Sequence, residues 1–516
     1  MSYIAVLIFP NQLFENIESI LPKDDRTLYH YYLVEDSLYF SDPERIKTFN
    51  GLKLLLHRAS MKFYADYLTK KGLKVEYIDF AEMDKFHKAI AGSKSVIHYD
   101  VVDHLLEKRL NDLMNKYNKK REVLDNPGFI CTNNDLKDFL ETREGKKRKF
   151  FQTDFYRWQR NRLDILMDDS GDYIGGKLSF DNENRESVPK TGFKTIKYHL
   201  TQSNKYIEEA RQYVSEKFPD HYGNINNYEH IAFDFSSARA KLNDFLKNRL
   251  INFGTYEDAI DIKNPFLYHS ILSSSINIGI ITPMEVVQSA LDYYYTYSDK
   301  IGINQIEGFI RQIIGWREYY RMVYLYLYDD LVKQNLLGHT RELNDLWYTG
   351  ETGIEPVDHC IQSAFDFGYL HHIERLMIVG QFMLLCEIHP NDMYRWFMEF
   401  AIDSYDWVMV PNVYGMVGYN DGGATTTKIY ISSSNYVLKM SNFKKGTYKE
   451  ETSNWDYIWR AMYYRFIKEN YSVLNKNVRT RRMVWQMNRL KGDVLDKLLK
   501  DADDYLDRIT NPEQTK

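Results

Sequence analysis

The chain is poor in cysteine, with only Cys131, Cys360 and Cys386 among 516 residues. They lie far apart and form no CxxC pair, which excludes a disulfide framework and a four-cysteine zinc or iron–sulfur site. No stretch reaches the length of a membrane span, and MSYIAVLIFPNQLF has no basic segment before its short apolar run. We therefore expect a cytoplasmic or nucleic-acid-associated protein in a reducing compartment, neither secreted nor membrane-bound and without a metal.

An excess of positive charge is also missing. The net charge of −5 argues against a protein that coats nucleic acid over its whole surface. Two local segments differ, because KKRKFFQTDFYRWQRNR (146–162) and RTRRMVWQMNRLK (479–491) interleave Lys and Arg with aromatic residues or Met. A groove that follows phosphates and stacks bases needs that mixture, and a solvated helix face shows it as well.

Short apolar runs alternate with helical patterns in the first part of the chain. We predict strands at 3–9, 28–34, 74–80 and 95–99, and a helix over 52–71 that ends at Gly72. This order predicts a parallel α/β domain over residues 1–135, with any ligand near Pro10–Leu13 and Glu35–Tyr39. No GxGxxG follows the first strand, which excludes a standard dinucleotide site. An irregular charged connector is expected over 136–200 and an all-helical domain over 201–516.

Five helical-domain segments resemble one family: FGTYEDAI (253–260), LYHSILSSSINIGIITPMEV (267–286), IEGFIRQIIGWREYYR (306–321), GYLHHIERLMIVGQF (368–382) and DWVMVPNVYGMVGYNDGG (406–423). They are similar to the prokaryotic photolyase- and cryptochrome-related proteins, in the branch that usually carries an iron–sulfur cluster and is often described as (6-4) photolyases. The resemblance implies a Rossmann-like α/β domain, a long connector and an all-α domain that binds FAD.

The activity implied by the resemblance is light-driven repair of UV-induced pyrimidine dimers in DNA by a monomer. A (6-4) photoproduct is favoured, and a cyclobutane dimer stays open as substrate. Two other functions stay open as well: a cryptochrome-type photoreceptor that binds FAD without repair, and a non-catalytic nucleic-acid-binding protein on the same scaffold.

The serine-rich stretch HSILSSSIN offers hydroxyl groups near a predicted helix start, where an anion such as a pyrophosphate is favoured. The resemblance therefore implies FAD contacts at Ser270, Ser273, Ser275 and Asn277. Around the flavin ring it implies Arg311, Trp316, Arg317, Arg375, Asp403 and Asn412.

Two adjacent histidines, His371 and His372, lie in an apolar helical run. Neighbours on a helix point about 100° apart, so they cannot bind one metal ion as a His-x-x-x-His pair does. By resemblance they face the lesion, with His372 as general acid and His371 orienting it. Asp181 is implied as a third catalytic residue, close to the lesion strand or a divalent cation. DNA contacts are expected from Lys147, Arg148, Arg157, Arg160 and Arg185.

The chain departs from the family pattern at several positions. The segment FKKGTYKEETSNWDYIWR (443–460) has no cysteine, so we predict that Trp455, Tyr457 and Trp459 pack where an iron–sulfur cluster would lie. Electron transfer by resemblance involves Trp396, Phe397 and Tyr348, and the last stands where a Trp is common. Met409 stands where relatives tend to carry Glu. A ribityllumazine-type antenna would use Glu35 and Tyr39, with Asn11 in place of Asp.

Overall fold

A parallel sheet forms the N-terminal part of the computed structural model, which describes residues 3–17, 27–142 and 151–510. Its five strands have the order β3-β2-β1-β4-β5. They are β1 (Ile4–Ile8), β2 (Tyr29–Val34), β3 (Lys74–Ile78), β4 (Ser95–Tyr99) and β5 (Lys120–Leu124), and every pair is parallel. The predicted α/β class is confirmed. Strand β5, sequence KREVL, was not predicted, because it lies at the sheet edge and is mostly charged.

Four helices alternate with or follow these strands: α1 (Gly51–Lys70), α2 (Met83–Gly92), α3 (His104–Tyr117) and α4 (Asn133–Glu141). Helix α1 begins where the Asn50 side chain accepts a hydrogen bond from the Leu52 N–H, at 2.9 Å. It ends before Gly72, whose φ of +79° continues the chain in a conformation that glycine adopts readily. The predicted helix over 52–71 is therefore confirmed.

The region expected to be an irregular connector is partly helical. Helix α5 (Gln152–Leu163) forms there because Phe155 and Tyr156 bury one of its faces. The chain then runs from Asp164 to Asn204 with a single described 3₁₀ turn, Asp181–Glu183. The irregular connector is thus shorter than the sequence suggests.

The rest of the chain is helical, as predicted. It contains α6 (Lys205–Lys217), α7 (Phe235–Asn248), α8 (Leu250–Phe253), α9 (Ser273–Ile278), α10 (Pro283–Thr296), α11 (Ile303–Ile310), α12 (Glu318–Val332), α13 (Leu346–Thr349), α14 (Glu355–Phe367), α15 (Gln381–Leu385), α16 (Pro390–Phe400), α17 (Asp406–Met409), α18 (Ser434–Met440), α19 (Trp455–Glu469), α20 (Tyr471–Lys476), α21 (Arg481–Met487) and α22 (Gly492–Thr510). Three π-helical segments interrupt it, at Arg311–Arg317, Glu374–Gly380 and Val410–Val417. Within the described ranges, no helix is long and apolar enough to cross a membrane.

The loop after β1 packs against α9 and so joins the two parts of the chain. The Leu13 N–H donates to the Ile278 carbonyl at 2.9 Å. Gly279 ends α9 with a φ of +88°, and a Cβ there would lie 2.7 Å from the Phe14 ring. Leu13, at the end of the expected ligand region, therefore lies against the C-terminal end of α9.

Candidate active site

One cavity of about 330 Å³ lies inside the helical part of the chain. Its walls come from the loop before α9, from α11 and α17, and from the three π-helical segments. Large apolar side chains dominate the lining, among them Phe309, Ile313, Trp316, Leu376 and Trp407. A few polar side chains converge on it, which is the usual composition of a ligand site.

Each π-helical segment contributes polar side chains to this cavity, including Arg317, Arg375 and Asn412. π-helical turns are rare in proteins, and those that occur are often found at functional sites. The second and third segments approach closely at Gly380, where a Cβ would lie 3.0 Å from the Val417 side chain. The widened turns and the close approach together shape one side of the cavity.

The serine-rich loop enters the cavity beside α9. Ser270 and Ser273 line it, and the Ser270 hydroxyl accepts a hydrogen bond of 3.4 Å from the Leu272 N–H. Ile271 has a φ of +59°, which a β-branched residue rarely adopts. Ser275 is not among the lining residues, because it lies about 200° around the helix from Ser273 and is fully buried.

Asn277 links two walls of the cavity. Its Nδ2 donates to the Asp403 carbonyl at 2.8 Å, and its Oδ1 accepts from Arg317. The other described hydrogen bonds of Arg317 go to the Gly128 carbonyl, the shorter at 2.9 Å. Burial lowers the pKa of Arg317 to about 10. A half-buried guanidinium whose described hydrogen bonds go to neutral oxygens favours an anionic ligand.

Arg375 and Asp403 form an ion pair on the cavity wall. Nη1 lies 2.9 Å from Oδ1, and Nη2 donates to Oδ2 at 3.2 Å. The Arg375 Nε also donates to the Leu370 carbonyl at 2.7 Å. This two-point contact fixes the carboxylate beside the cavity.

The two adjacent histidines differ in their surroundings. His371 is 4% exposed and stacks on His269, with 4.7 Å between ring centroids. Its Nε2 lies 3.6 Å from Oε2 of Glu374, and burial lowers its pKa well below the usual value. His372 is solvent-accessible through the cavity, but the surrounding protein desolvates the ring and lowers its pKa to about 4. Both imidazoles are therefore neutral at pH 7 when no anion is bound.

Two acidic side chains, Glu257 and Asp258, form part of the cavity rim. Burial raises the pKa of Glu257 to about 7 and that of Asp258 to about 6. Arg311 lies behind this rim, with Nη2 at 3.6 Å from Glu257 and Nε at 3.3 Å from Glu307. Arg311 does not line the cavity, but its contact with Glu257 holds a side chain that does.

Comparisons with known proteins identify the family. Residues 6–230 match the model described as deoxyribodipyrimidine photo-lyase-related protein. A (6-4) photolyase of Agrobacterium fabrum is 29% identical over 468 residues, 87% of this chain and 90% of that protein. Residues 6–230 thus belong to the photolyase-related family, and the likeness to the (6-4) photolyase extends over most of the chain. An uncharacterised protein of Acanthamoeba polyphaga mimivirus is 47% identical over 197 residues, 37% of this chain and 98% of that protein. The crystal structure of a Synechocystis sp. cryptochrome shares the fold, with a TM-score of 0.54, 14% identity and 98% coverage of both chains.

The cavity of this photolyase-related protein fits the FAD that the resemblance implies. Trp316, Phe397 and Trp407 supply flat apolar surfaces, while Ser270, Ser273 and Arg317 supply donors for phosphate oxygens. The buried Nδ1 of His371 has no hydrogen-bond partner among the described residues. Such an orphaned polar atom at a cavity wall is consistent with a ligand that completes it.

The residues expected to contact DNA are divided between surface and interior. Arg157 and Arg185 are exposed. Asp181 is half-exposed outside the cavity, where it pairs with Arg185 and lies 3.5 Å from Arg311. Lys147 and Arg148 lie outside the described residues.

The position of Arg160 contradicts the prediction that this side chain contacts DNA. It is fully buried, and its guanidinium donates to the carbonyls of Ile165, Leu166 and Leu178. A phosphate cannot reach the guanidinium, because it is buried. Its hydrogen bonds instead hold the chain that follows α5. Within the described residues 151–162, the basic sequence therefore presents fewer exposed charges than expected.

Of the expected electron-transfer residues, only Phe397 lines the cavity. Trp396 is buried behind it, with 5.2 Å between ring centroids. Tyr348 is half-buried farther out, and its hydroxyl donates to Glu399 at 3.1 Å.

The expected antenna residues are buried and hydrogen-bonded within the chain. The Tyr39 hydroxyl donates to Asn11 Oδ1 at 3.0 Å. Glu35 is fully buried and accepts from Arg58 at 2.8 Å and from the Phe80 N–H at 2.9 Å. A ribityllumazine-type antenna would have to replace these contacts, and it stays a prediction.

Aromatic side chains fill the segment 443–460. The indole N–H of Trp455 donates to the Lys444 carbonyl at 2.9 Å, and that of Trp459 to the Ser432 carbonyl at 3.1 Å. Their ring centroids are 6.2 Å apart, whereas Tyr457 points to Asp501. No group of three or more potential metal ligands occurs in the ranges that the structure describes.

Sequence reasoning missed three side chains at the site: His269, Glu374 and Trp407. The spacing in HHIE places Glu374 one helical turn after His371, and this signal could have found it. Nothing in the sequence brings His269 onto His371, because the two are 102 positions apart and meet only through the packing of separate elements.

Proposed function

We propose that this chain is a light-dependent DNA photolyase that uses FAD to repair UV-induced pyrimidine dimers, with the (6-4) photoproduct as preferred substrate. The observation that carries the proposal is one cavity in which His372 faces the open space while Arg375, Asp403 and Arg317 lie on its wall. Residues 201–516 would form the flavin-binding domain and residues 1–135 the antenna-type domain.

The protein's own contribution is to hold the cofactor and to move a proton. When bound and reduced, FAD supplies an electron on excitation by blue light. Asn277, Arg317 and the Arg375–Asp403 pair orient it, and the apolar wall excludes water. His372 would then donate a proton to the photoproduct and recover it later.

The low pKa of His372 is compatible with this role. A lesion flipped into the cavity brings its phosphate groups close to the imidazole, and nearby negative charge raises a histidine pKa. A bound substrate would thus favour the protonated form of His372. His371, held by Glu374, fixes the geometry of its neighbour.

A basic surface beside the cavity suits the DNA backbone. Arg185 lies 3.7 Å from Asp258 at the rim. Lys428 is close to Arg185 and Arg479, whose charges lower its pKa further than burial alone. Three cations from the connector and the C-terminal part therefore lie together, which favours phosphate binding. Trp485, which is 53% exposed and has Arg489 over its ring, is a further candidate for stacking on a base.

The experiment is blue-light repair of two defined oligonucleotides, one with a cyclobutane thymine dimer and one with a (6-4) photoproduct, by chemically reduced protein. We expect repair of the (6-4) substrate and little or none in the dark. Repair of the cyclobutane dimer alone would correct the substrate. Binding of FAD without repair of either lesion would favour the photoreceptor, and absence of FAD would favour the non-catalytic binding protein.

A further inference from the structure

Helix α1 carries a lysine, Lys53, whose side chain is buried behind one wall of the cavity. It is 2% exposed, although α1 belongs to the part of the chain that contains the sheet. Its Nζ donates to the Ser404 carbonyl and, at 3.5 Å, to the Met398 carbonyl. Both acceptors are next in sequence to residues that line the cavity, Asp403 and Phe397. The lysine therefore holds two wall segments from the outside.

The ammonium group of Lys53 contacts no carboxylate among the residues that the structure describes. Besides the two carbonyls, it lies near the ring faces of Phe49 and Tyr405, at 4.8 and 5.2 Å from their centroids. Carbonyls and ring faces stabilise a cation less than a carboxylate does, and burial removes its water. Burial accordingly lowers the pKa of Lys53 from 10.5 to about 7. Its charge near pH 7 thus depends on the negative charge nearby.

The charged and titratable groups around Lys53, within the described ranges, are Asp403, Arg45, His57 and Tyr405. Asp403 raises the pKa of Lys53 and Arg45 lowers it, both by less than burial does. His57, one turn further along α1, stays neutral because burial and Lys53 lower its pKa to about 3. Burial raises the pKa of the Tyr405 phenol. Among Lys53, His57 and Tyr405, only Lys53 changes charge between pH 6 and pH 9.

The cavity in front of this wall gains negative charge when a flavin in it is reduced. A reduced flavin ring is an anion once it has lost one ring proton, whereas the oxidised ring is neutral. An anion on the far side of residues 403–405 favours the charged form of Lys53. By linkage, the charged lysine favours the anion to the same extent. Because the lysine is buried, salt screens this interaction only weakly.

We infer that Lys53 is a positioning residue that acts on the cofactor through the wall: its charge favours the reduced, anionic flavin, and it takes up a proton when the flavin is reduced. Reduction adds two electrons and one proton to the ring and up to one further proton to Nζ. The electrons come from a chemical reductant such as dithionite and the protons from water, and no bond forms between protein and flavin. This inference rests on the proposed flavin binding.

The first test compares the midpoint potentials of FAD-loaded wild type and Lys53→Met at pH 6 and pH 9. Methionine is also a flexible, unbranched side chain, and it has no charge. At pH 6 the variant should bind reduced flavin about tenfold less tightly relative to oxidised flavin, which lowers its two-electron potential by about 30 mV. The difference should vanish at pH 9, where wild-type Lys53 is neutral. Lys53→Arg, which stays charged, should exceed Lys53→Met by about 30 mV at both pH values.

Lys62→Met is the matched control, because Lys62 lies on the same helix and does not line the cavity. Its Nζ is 3.8 Å from Asp79 and 3.5 Å from the centroid of the Tyr77 ring. The control should have the wild-type potential at both pH values. Other groups at the cavity that titrate in this range are present in every variant, so the difference between variants isolates Lys53.

The second test follows the lysine itself, by carbon-13 NMR of protein labelled at lysine Cε. The Lys53 signal is the one that is missing from Lys53→Met or Lys53→Arg, whichever folds. Its titration midpoint should lie near pH 7 without flavin. With reduced flavin the midpoint should rise to about pH 8, which is the same tenfold effect measured at the other site.

Equal potentials of wild type and Lys53→Met at pH 6 would overturn the inference, as would a Lys53 midpoint that does not move on reduction. Failure of the proposed repair is distinguishable, because a protein that holds flavin in this way but repairs no lesion leaves the inference standing. A wild-type protein whose absorption spectrum shows no bound FAD would overturn both.

Discussion

Replacing Asp403 by Asn removes one partner of the ion pair on the cavity wall. Arg375 and Asp403 contact each other through two nitrogen–oxygen pairs, at 2.9 and 3.2 Å, and their side chains are 16% and 10% exposed. The substitution leaves the guanidinium in place with only the Leu370 carbonyl and an amide as partners. We therefore expect the flavin-free protein to be less stable.

The size of the effect follows from burial. Removing one partner of a fully buried pair costs about 3–5 kcal/mol. Because this pair borders a cavity and Arg375 keeps one carbonyl acceptor, about 2–3 kcal/mol is the better estimate. For a cooperative unit the size of the helical part, roughly 300 residues, this lowers Tm by about 3–5 °C.

The assay is thermal unfolding of flavin-free protein by circular dichroism, with Asp503→Asn as control. Asp503 pairs with Arg465 at 2.6 Å, but its side chain is 59% exposed, so its loss should lower Tm by less than about 1 °C. Equal shifts in the two variants would refute the reasoning. A second measurement, FAD titration, should show weaker binding for Asp403→Asn and unchanged binding for the control.

Three further predictions concern packing, metal content and pH. Gly279→Ala should lower stability by about 1–3 kcal/mol in chemical unfolding, because its φ is +88° and a Cβ would meet the Phe14 ring at 2.7 Å; the control Gly72→Ala, with φ +79° but open space around it, should lose less. Elemental analysis of the purified protein should find no iron in proportion to the chain, and a stoichiometric amount would contradict the packing of Trp455 and Trp459. Burial raises the pKa of Glu374 from 4.5 to about 8. The stability of the wild type, relative to that of Glu374→Gln, should therefore fall as the pH rises through that range. A constant difference in Tm between the two proteins from pH 5 to pH 8 would contradict this.

Much of the fold could be predicted because its signals are local. Strands β1, β2 and β4 are continuous apolar runs, as expected for strands with helices on both faces. Helix α1 has a polar N-terminal cap and a glycine after its end. Strand β5 and helix α5 were not recognised, because charged residues on their exposed faces mask the few positions that pack inward.

The site could be predicted only in part. Residue identity in the family motifs indicated Ser270, Ser273, Asn277, Arg317, Arg375 and Asp403, and the structure brings them to one cavity or its wall. The burial of Arg160 and Arg311 could not be predicted from the sequence, because it depends on which distant elements pack over them. The Tyr348–Glu399 contact likewise joins α13 and α16, and no local pattern encodes it.

The central claim is that this cavity repairs a photoproduct with an electron from flavin and a proton from His372. Its most direct test is to illuminate reduced wild-type protein and a His372→Gln variant, at equal FAD content, with an oligonucleotide that contains one (6-4) photoproduct. The products are then separated by chromatography and identified by mass spectrometry together with their ultraviolet absorption. We predict that wild-type protein restores the two pyrimidines only in the light and that the variant, although it binds FAD and DNA, does so at least about a hundredfold more slowly. Equal repair by both proteins, or none by the wild type, would contradict the account.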